Sequence, residues 1–382
     1  MKSIRSTLFF ISLSVILLML GSTYFTTFIS VKLSHQNISE IFIGVVHMAY
    51  SIGFVVGTIK TDFFIQRFRY TKSYMVLTLL FAFSTINCLF FSSIYSWMLF
   101  RFVCGFCLAA LYVILESFYL LISPNEKRGQ VLAIYMIALY LSQSASQIFH
   151  DILPIDSSYT FIILSGFLIL SCLPMFFVDD SNLPKEQIRL FQAFKNLEIS
   201  KLGLHASFAS GVVLTGLYSF LPILAQKLEL KVSISMILLI LGGLIFQWPI
   251  GYLSDKMDRK KLLFGLCWAL IAPCMLPIFY PLSTFASYLL ITLIGGLSFA
   301  LYPLAMTLVC ENKPKEELTA LTGILVLVFS FGMIFGPMLP PIMNHLKDPY
   351  GVYLQLIIFS FFLIGHSLFE SKKITSTTST ND

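Results

Sequence analysis

Long apolar runs, broken by short polar stretches, fill almost the whole of this 382-residue chain. In order, they cover residues 7–29, 41–59, 73–92, 96–122, 129–150, 158–178, 202–225, 233–253, 262–281, 284–310, 318–341 and 350–370. Each is close to or above the roughly 20 residues that an α-helix needs to cross a bilayer's hydrocarbon layer. The runs are continuous and do not alternate in short segments of about ten residues, as membrane barrel strands do. The pattern therefore predicts an all-α integral membrane protein of twelve transmembrane helices. The first run follows Lys2 and Arg5, as a secretory leader would. Its apolar part, Leu8 to Ile29, exceeds a leader core of about 7–15 residues, and no small-residue cleavage site follows, so it is expected to stay as the first membrane helix.

Composition agrees. The chain is 57% hydrophobic and 12% charged, about half the charge of a typical soluble domain. The cysteines at 88, 104, 107, 172, 267, 274 and 310 lie in or at the ends of apolar runs. That placement does not make a secreted disulfide framework. Cys104 and Cys107 have CxxC spacing but no second pair, and they read as small packing residues.

The positions of the charges test the helix count. With the N-terminus in the cytoplasm, 20 of the 25 Lys and Arg fall in cytoplasmic segments and 4 in outer ones, with Arg101 inside a run. This is the positive-inside bias, and a miscounted helix would scramble it. Both termini are expected to be cytoplasmic. The net charge of +6 is then an orientation signal and needs no nucleic-acid partner.

Two six-helix halves are expected, 1–178 and 202–371, joined by a cytoplasmic linker, 179–201, and followed by a Ser/Thr-rich tail, 372–382, expected to be disordered. Ala110-Leu111-Tyr112 recurs as Ala300-Leu301-Tyr302, an offset of 190. The same offset carries Pro124 to Pro314, and Ser142 and Ser146 to Gly332 and Gly336. Parallel repeats with a site between them are the plan of one class of transporter.

Charge is densest in GYLSDKMDRKK, Gly251 to Lys261, where six of the seven residues from Asp255 onward are charged. Orientation explains its basic character. Its order resembles the loop signature G-x-L-x-D-R-x-G-R-R/K of the major facilitator superfamily, with Arg259 and Lys260 at the basic positions and Met257-Asp258 where the signature has x-G. The segment from Gly57 to Tyr74 reads as a degraded first-half copy, with Thr61 at the Asp position, Asp62 after it, and Arg67 and Arg69 as the basic end. GTIKTDFFIQRFRYTKSY, RFVCGFCLAALYVILESF, RGQVLAIYM, QWPIGYLSDKMDRKKLL and ALYPLAM are similar to the YcaD-type branch of that superfamily. The resemblance implies a solute transporter of the bacterial inner membrane and does not name a solute.

Ionisable residues inside membrane spans cost several kcal/mol unless paired or facing a cavity. Two stand out, both in the fourth run. The segment R-F-V-C-G beginning at Arg101 resembles the superfamily's helix-4 motif, which implies a cavity-facing cation for substrate or coupling; a snorkelling Arg at the rim is the plainer alternative. Glu116 lies fifteen residues on, roughly 22 Å away along a helix. It is either a proton-titrating carboxylate or a structural partner of the 2–3 loop, and the superfamily's relay favours the second, with Arg67 as first partner and Arg69 as second. Tyr135, Tyr140, Gln143, Gln147, Tyr218, Gln247, Trp248 and Tyr302 are candidate cavity-lining groups, though for any one of them a plain interhelix hydrogen bond is the commoner role. His47 could titrate near neutral pH or be structural. Helix 5 lacks the Gly-rich antiporter pattern, which Gly332, Gly336 and Pro337 partly keep in helix 11.

No GxxxxGK(S/T) phosphate loop, HExxH or GxSxG is present, so ATP hydrolysis, zinc proteolysis and serine hydrolysis have no motif behind them. The expectation is a secondary active transporter, not an enzyme. It would bind no cofactor, use the proton gradient, act as a monomer in the lipid bilayer and carry a small amphipathic or anionic organic solute, with export preferred over uptake. Gly57, Arg67, Glu116, Gly251, Asp255, Arg259 and Lys260 would form a conformational latch. The rival expectation is a transport-inactive sensor with the same fold.

Overall fold

The computed structural model describes residues 4–91, 93–123, 128–181, 183, 199–311, 313 and 315–378. Among the described residues the regular structure is entirely helical. The α-helices are α1 (Ile4–His35), α2 (Glu40–Phe90), α3 (Ile94–Ile122), α4 (Arg128–Ser146), α5 (Phe149–Ile152), α6 (Tyr159–Leu170), α7 (Lys201–Lys227), α8 (Val232–Lys256), α9 (Arg259–Phe279), α10 (Thr284–Cys310), α11 (Lys315–Phe335), α12 (Leu339–Asn344) and α13 (Gly351–Thr378). Single 3-10 turns at Pro174–Phe177 and Gly336–Met338 follow α6 and α11. Eleven helical segments among the described residues are long and apolar enough to span a membrane. The chain is a multi-pass membrane protein.

One of the eleven differs from the expected pattern. The polar stretch 60–72 was expected to be a loop, yet helix continues through most of it, and α2 reaches 51 residues. At ~1.5 Å per residue it would run about 76 Å if straight, more than twice the hydrocarbon thickness. It breaks at Arg69, with φ 62° and ψ −178°. The helix persists up to that point because Gly57, Thr61 and Ile65 are buried at the four-residue spacing of one helix face. Arg69 takes a backbone conformation that glycine normally supplies, at a cost of about 1–3 kcal/mol. Its guanidinium donates to the carbonyls of Asp180, Ser181 and Leu183 and lies 3.8 Å from the Asp180 carboxylate. The other Asp180 oxygen accepts from the Thr71 amide at 2.9 Å, so one acid clamps both sides of the break.

The chain divides into two compact units. The first comprises Met1–Ile188 with Lys231–Ile237, the second Arg189–Leu230 with Leu238–Asp382. Of the expected linker, residue 182 and residues 184–198 lie outside the described residues. The segment expected as a disordered tail begins as helix, since α13 runs to Thr378; residues 379–382 lie outside the described residues.

Hydrocarbon gives no help in pressing apolar helices together, so close approach of backbones has to supply the contact. In the first unit α2 packs on α3 through two glycines. A Cβ on Gly53 would strike the Phe102 carbonyl, and one on Gly105 would strike the Tyr50 carbonyl. In the second unit Gly242 lies against the Thr292 carbonyl and Gly295 against the Leu239 carbonyl. Tyr50 and Gly53 map to Leu239 and Gly242 by adding 189, and Phe102 and Gly105 map to Thr292 and Gly295 by adding 190. The expected offset thus describes the α3–α10 pair, while α2 and α8 differ by one residue. A third contact keeps its place but exchanges its partners. Gly57 of α2 meets the backbone of Phe106 on α3, whereas Phe246 of α8 meets Gly296 on α10.

Gly251, expected as part of the latch, has no neighbour within 4 Å of where a Cβ would sit. Gly105→Ala should therefore lower the melting temperature of the purified protein in detergent, by a loss of about 1–3 kcal/mol. Gly251→Ala should leave it unchanged or raise it, because Ala favours helix over Gly by about 1 kcal/mol.

Candidate functional site

Arg101 lies about two turns into α3, seven residues past the helix start at Ile94, or about 10 Å along its axis. It is completely buried, so it does not snorkel to the rim. Its guanidinium stacks over the Tyr50 ring at 4.2 Å and lies 5.5 Å from the Phe25 ring centroid. Nη2 reaches the Thr26 hydroxyl at 3.3 Å and His47 Nδ1 at 3.4 Å. On its other side His47 Nε2 is 2.8 Å from the Ser30 hydroxyl, and Ser30 donates to the Thr26 carbonyl at 3.2 Å. Nε and Nη1 of Arg101 have no partner among the described residues. Cation–π contact of this kind is worth about 2 kcal/mol when desolvated, which supports the burial without cancelling the charge.

The pairing of Arg101 with His47, Thr26 and Tyr50 was not foreseen. A signal was present in α1, where Thr26, Thr27 and Ser30 extend a run of hydroxyls that begins at Ser22 and Thr23. Thr27 donates to Gln147 Oε1 at 2.8 Å, and both are buried. Gln143 reaches Tyr112 Oη at 3.4 Å and Met19 Sδ at 3.6 Å. Tyr135 is buried with its ring 4.9 Å from Tyr119, and its hydroxyl has no partner among the described residues. Of the first-unit candidates, Gln143 and Gln147 thus make interhelix bonds to α1 and α3.

In the second unit Tyr218 packs on Phe299 and Tyr302 on Phe329, at 6.0 and 4.9 Å between ring centroids. Trp248 is exposed and stacks on Tyr252. Gln247, Gly251 and Asp255 share a pocket of about 180 Å³ between α8 and α10, where Ser254 Oγ lies 3.4 Å from Thr307 Oγ1.

The expected pairing of Glu116 with Arg67 or Arg69 is not formed. Glu116 is exposed on α3 and has no ion pair among the described residues, Arg67 lies over the Phe68 ring, and Arg69 is committed to Asp180. The register explains the miss. By the α2–α8 offset of 189, Asp255 corresponds to Gln66, not Thr61, and Asp258 to Arg69. The position at which the loop signature carries glycine is therefore Arg69 in the first unit, and its positive φ is retained there. In the second unit the backbone itself is changed. Asp258 caps α9, its Oδ1 accepting from the Lys261 amide at 3.0 Å.

Arg259 pairs with Glu311 at 3.1 Å and donates to the Thr307 carbonyl at 3.2 Å. Glu311, the first acid after the apolar run of α10, was not singled out beforehand. Asp255 is exposed and makes no ion pair among the described residues, and Lys260 is half-buried. No cluster of three or more His, Cys, Asp or Glu among the described residues could hold a metal ion. Asp258→Ala should cost about 1 kcal/mol of stability through the lost cap. Glu311→Gln should cost less than about 1 kcal/mol, since both partners are partly exposed. Asp255→Asn should cost nothing measurable. Thermal melts of the three variants check the order.

Several known proteins resemble this chain. An uncharacterized MFS-type transporter of Enterobacter sp. (strain 638) is 28% identical over 84% of this chain and 85% of its own. One from Yersinia pestis (strain Pestoides F) is 30% identical over 85% and 87%. The uncharacterized MFS-type transporter YcaD of Escherichia fergusonii is 26% identical over 87% and 88%. Among solved structures, the nucleoside transporter NupG aligns with a TM-score of 0.76 at 14% identity, covering 96% of this chain and 99% of that one. A D-xylose–proton symporter aligns with a TM-score of 0.75 at 15% identity, covering 95% and 97%. The model of the Major Facilitator Superfamily matches residues 11–337 and 232–378. With relatives of that type along most of its length, this chain belongs to the Major Facilitator Superfamily, in its YcaD-like branch.

Proposed function

We propose that this protein is a proton-coupled secondary transporter of a small organic solute, working by alternating access in the bacterial inner membrane. The family and the fold support carriage of a solute across a membrane, and that reading calls for no bond-making chemistry. The twelve-span reading rests on α2 crossing twice, inward to Arg69 and outward again, since no bilayer accommodates 51 helical residues in one pass. Twelve crossings together with the Lys/Arg bias support both termini lying in the cytoplasm. A green fluorescent protein fused after Lys373 should fluoresce, and alkaline phosphatase fused at the same point should be inactive.

The observation that carries the coupling is the state of Glu116. It is exposed, makes no ion pair among the described residues, and shares α3 with the buried Arg101. The structural partnership expected for it with the 2–3 loop is absent, because Arg69 is held by Asp180. An unpaired carboxylate within a membrane-spanning helix is suited to taking up and releasing a proton. A fold neighbour named as a D-xylose–proton symporter supports this reading. Net direction then follows from the combined gradients of proton and solute.

Comparing the small-molecule contents of deletion and overexpression strains should name the solute. In proteoliposomes loaded with it, the wild type should accumulate it against its gradient when a pH difference is imposed. Glu116→Gln should retain solute exchange while losing that accumulation at least tenfold. Full pH-driven accumulation by Glu116→Gln would remove Glu116 from the coupling role.

A further inference from the structure

Among the described residues the Arg101 guanidinium meets the Thr26 hydroxyl, the His47 ring, and the Tyr50 and Phe25 faces. None of them is an acid, and no carboxylate pairs with Arg101 among the described residues. The role of His47 follows from donor logic. A guanidinium can only donate, so Nδ1 must accept. A ring that accepts at Nδ1 is uncharged and carries its hydrogen on Nε2, which donates to Ser30 Oγ at 2.8 Å. Ser30 spends its own hydrogen on the Thr26 carbonyl. Donation therefore runs one way, from Arg101 to His47 to Ser30 to the α1 backbone. The chain fixes the guanidinium through Nη2 and takes none of its charge.

Three of the five guanidinium N–H groups, one on Nε and two on Nη1, have no acceptor among the described residues in a wholly buried side chain. An unsatisfied buried donor costs about 1–3 kcal/mol, and a charged one more. A carboxylate at position 47 would have satisfied Arg101 permanently. A neutral acceptor positions it and keeps both its charge and its free N–H groups for another group. Planar, charge-assisted pairing with arginine favours a carboxylate.

We propose that Arg101 is the receptor for a carboxylate-bearing organic solute, with His47 and Ser30 as positioning residues that hold the guanidinium while leaving it charged. This deepens the transporter reading by naming the solute class, and equilibrium binding tests it separately from flux. Purified full-length protein in detergent is titrated with acetate, butyrate and benzoate, with the matching amides (acetamide, butyramide and benzamide), and with chloride. Thermal melting and calorimetry give the readout.

At least one carboxylate should raise the melting temperature, and its amide and chloride at equal concentration should not. Arg101→Gln should weaken that carboxylate at least about tenfold, the loss of one charge-assisted bond. His47→Gln, which offers one acceptor and one donor, should keep most of the affinity, and His47→Leu should lose it. Amides as effective as acids, no effect of any carboxylate, or unchanged affinity in Arg101→Gln would each overturn the proposal. Chloride as effective as the carboxylates would also overturn it, by showing that an inorganic anion fills the site. The acid–amide comparison uses only the wild type, so it stands if Arg101→Gln does not fold. Flux of an uncharged solute with no carboxylate preference would sink this inference and leave the transporter reading intact, while carboxylate binding without flux of any solute would do the reverse.

Discussion

A polar group inside a lipid-spanning helix cannot turn to water, and the structure of this chain follows from that constraint. Short hydroxyls solve it locally. Thr58, Thr61, Ser84 and Thr292 each donate to a carbonyl four residues back in their own helices. Longer polar groups must find partners on other helices, as Gln147 does with Thr27 on α1 and Gln355 with the Val212 carbonyl on α7. Arg101 is the one span-embedded cation that the sequence singled out, and its neighbours satisfy only one of its three nitrogens. The contrast with Arg69 is informative. Arg69 is paired with an acid and three carbonyls, and it holds a backbone break in place. Arg101 pairs with no acid among the described residues and is held by two aromatic faces, a hydroxyl and an imidazole.

The internal repeat is more than a coincidence of sequence offsets. Two glycine contacts recur between α2–α3 and α8–α10 with carbonyls at matching positions. Backbone contact tolerates no side chain, so these positions persist while their neighbours diverge. The break at Arg69 within α2 and the turn after α8 have diverged in another way. One keeps the left-handed backbone of the signature glycine and clamps it with Asp180; the other drops that backbone and caps α9 with Asp258. Both solutions end one helix and start the next at equivalent places.

Much of this was readable in advance, for a physical reason. Span length and loop charge act on whole segments, so the runs predict helices such as α7 and α10 to within two or three residues. Arg101 was visible as an ion in an apolar run. Its partners were not, because Thr26, His47 and Tyr50 come from two other helices, and side-chain adjacency across helices leaves no local pattern. The Glu116 partnership failed for a different reason. The 2–3 loop was aligned on Gly57, whose actual job is to admit the Phe106 backbone. That put the acidic position five residues away from Gln66, where the packing register places it. The extension of α2 up to Arg69 was hidden because its exposed polar residues read as loop while Thr61 and Ile65 quietly carry the buried face.

The exchange between Gly57 and Phe246 has a consequence for assembly. The two repeat-related helix pairs share a geometry but place the glycine of this contact on opposite members, α2 in one pair and α10 in the other. If α2 were to meet α10, two glycines would face each other and leave a hole. If α8 were to meet α3, Phe246 would be driven against a backbone with no recess for it. During synthesis both pairs enter the same membrane one after the other, and each would otherwise be a competent decoy for its relative. A bump and a hollow of inverted polarity make each helix selective for its own neighbour. The symmetry of the fold is thus protected from the mispairing that symmetry invites.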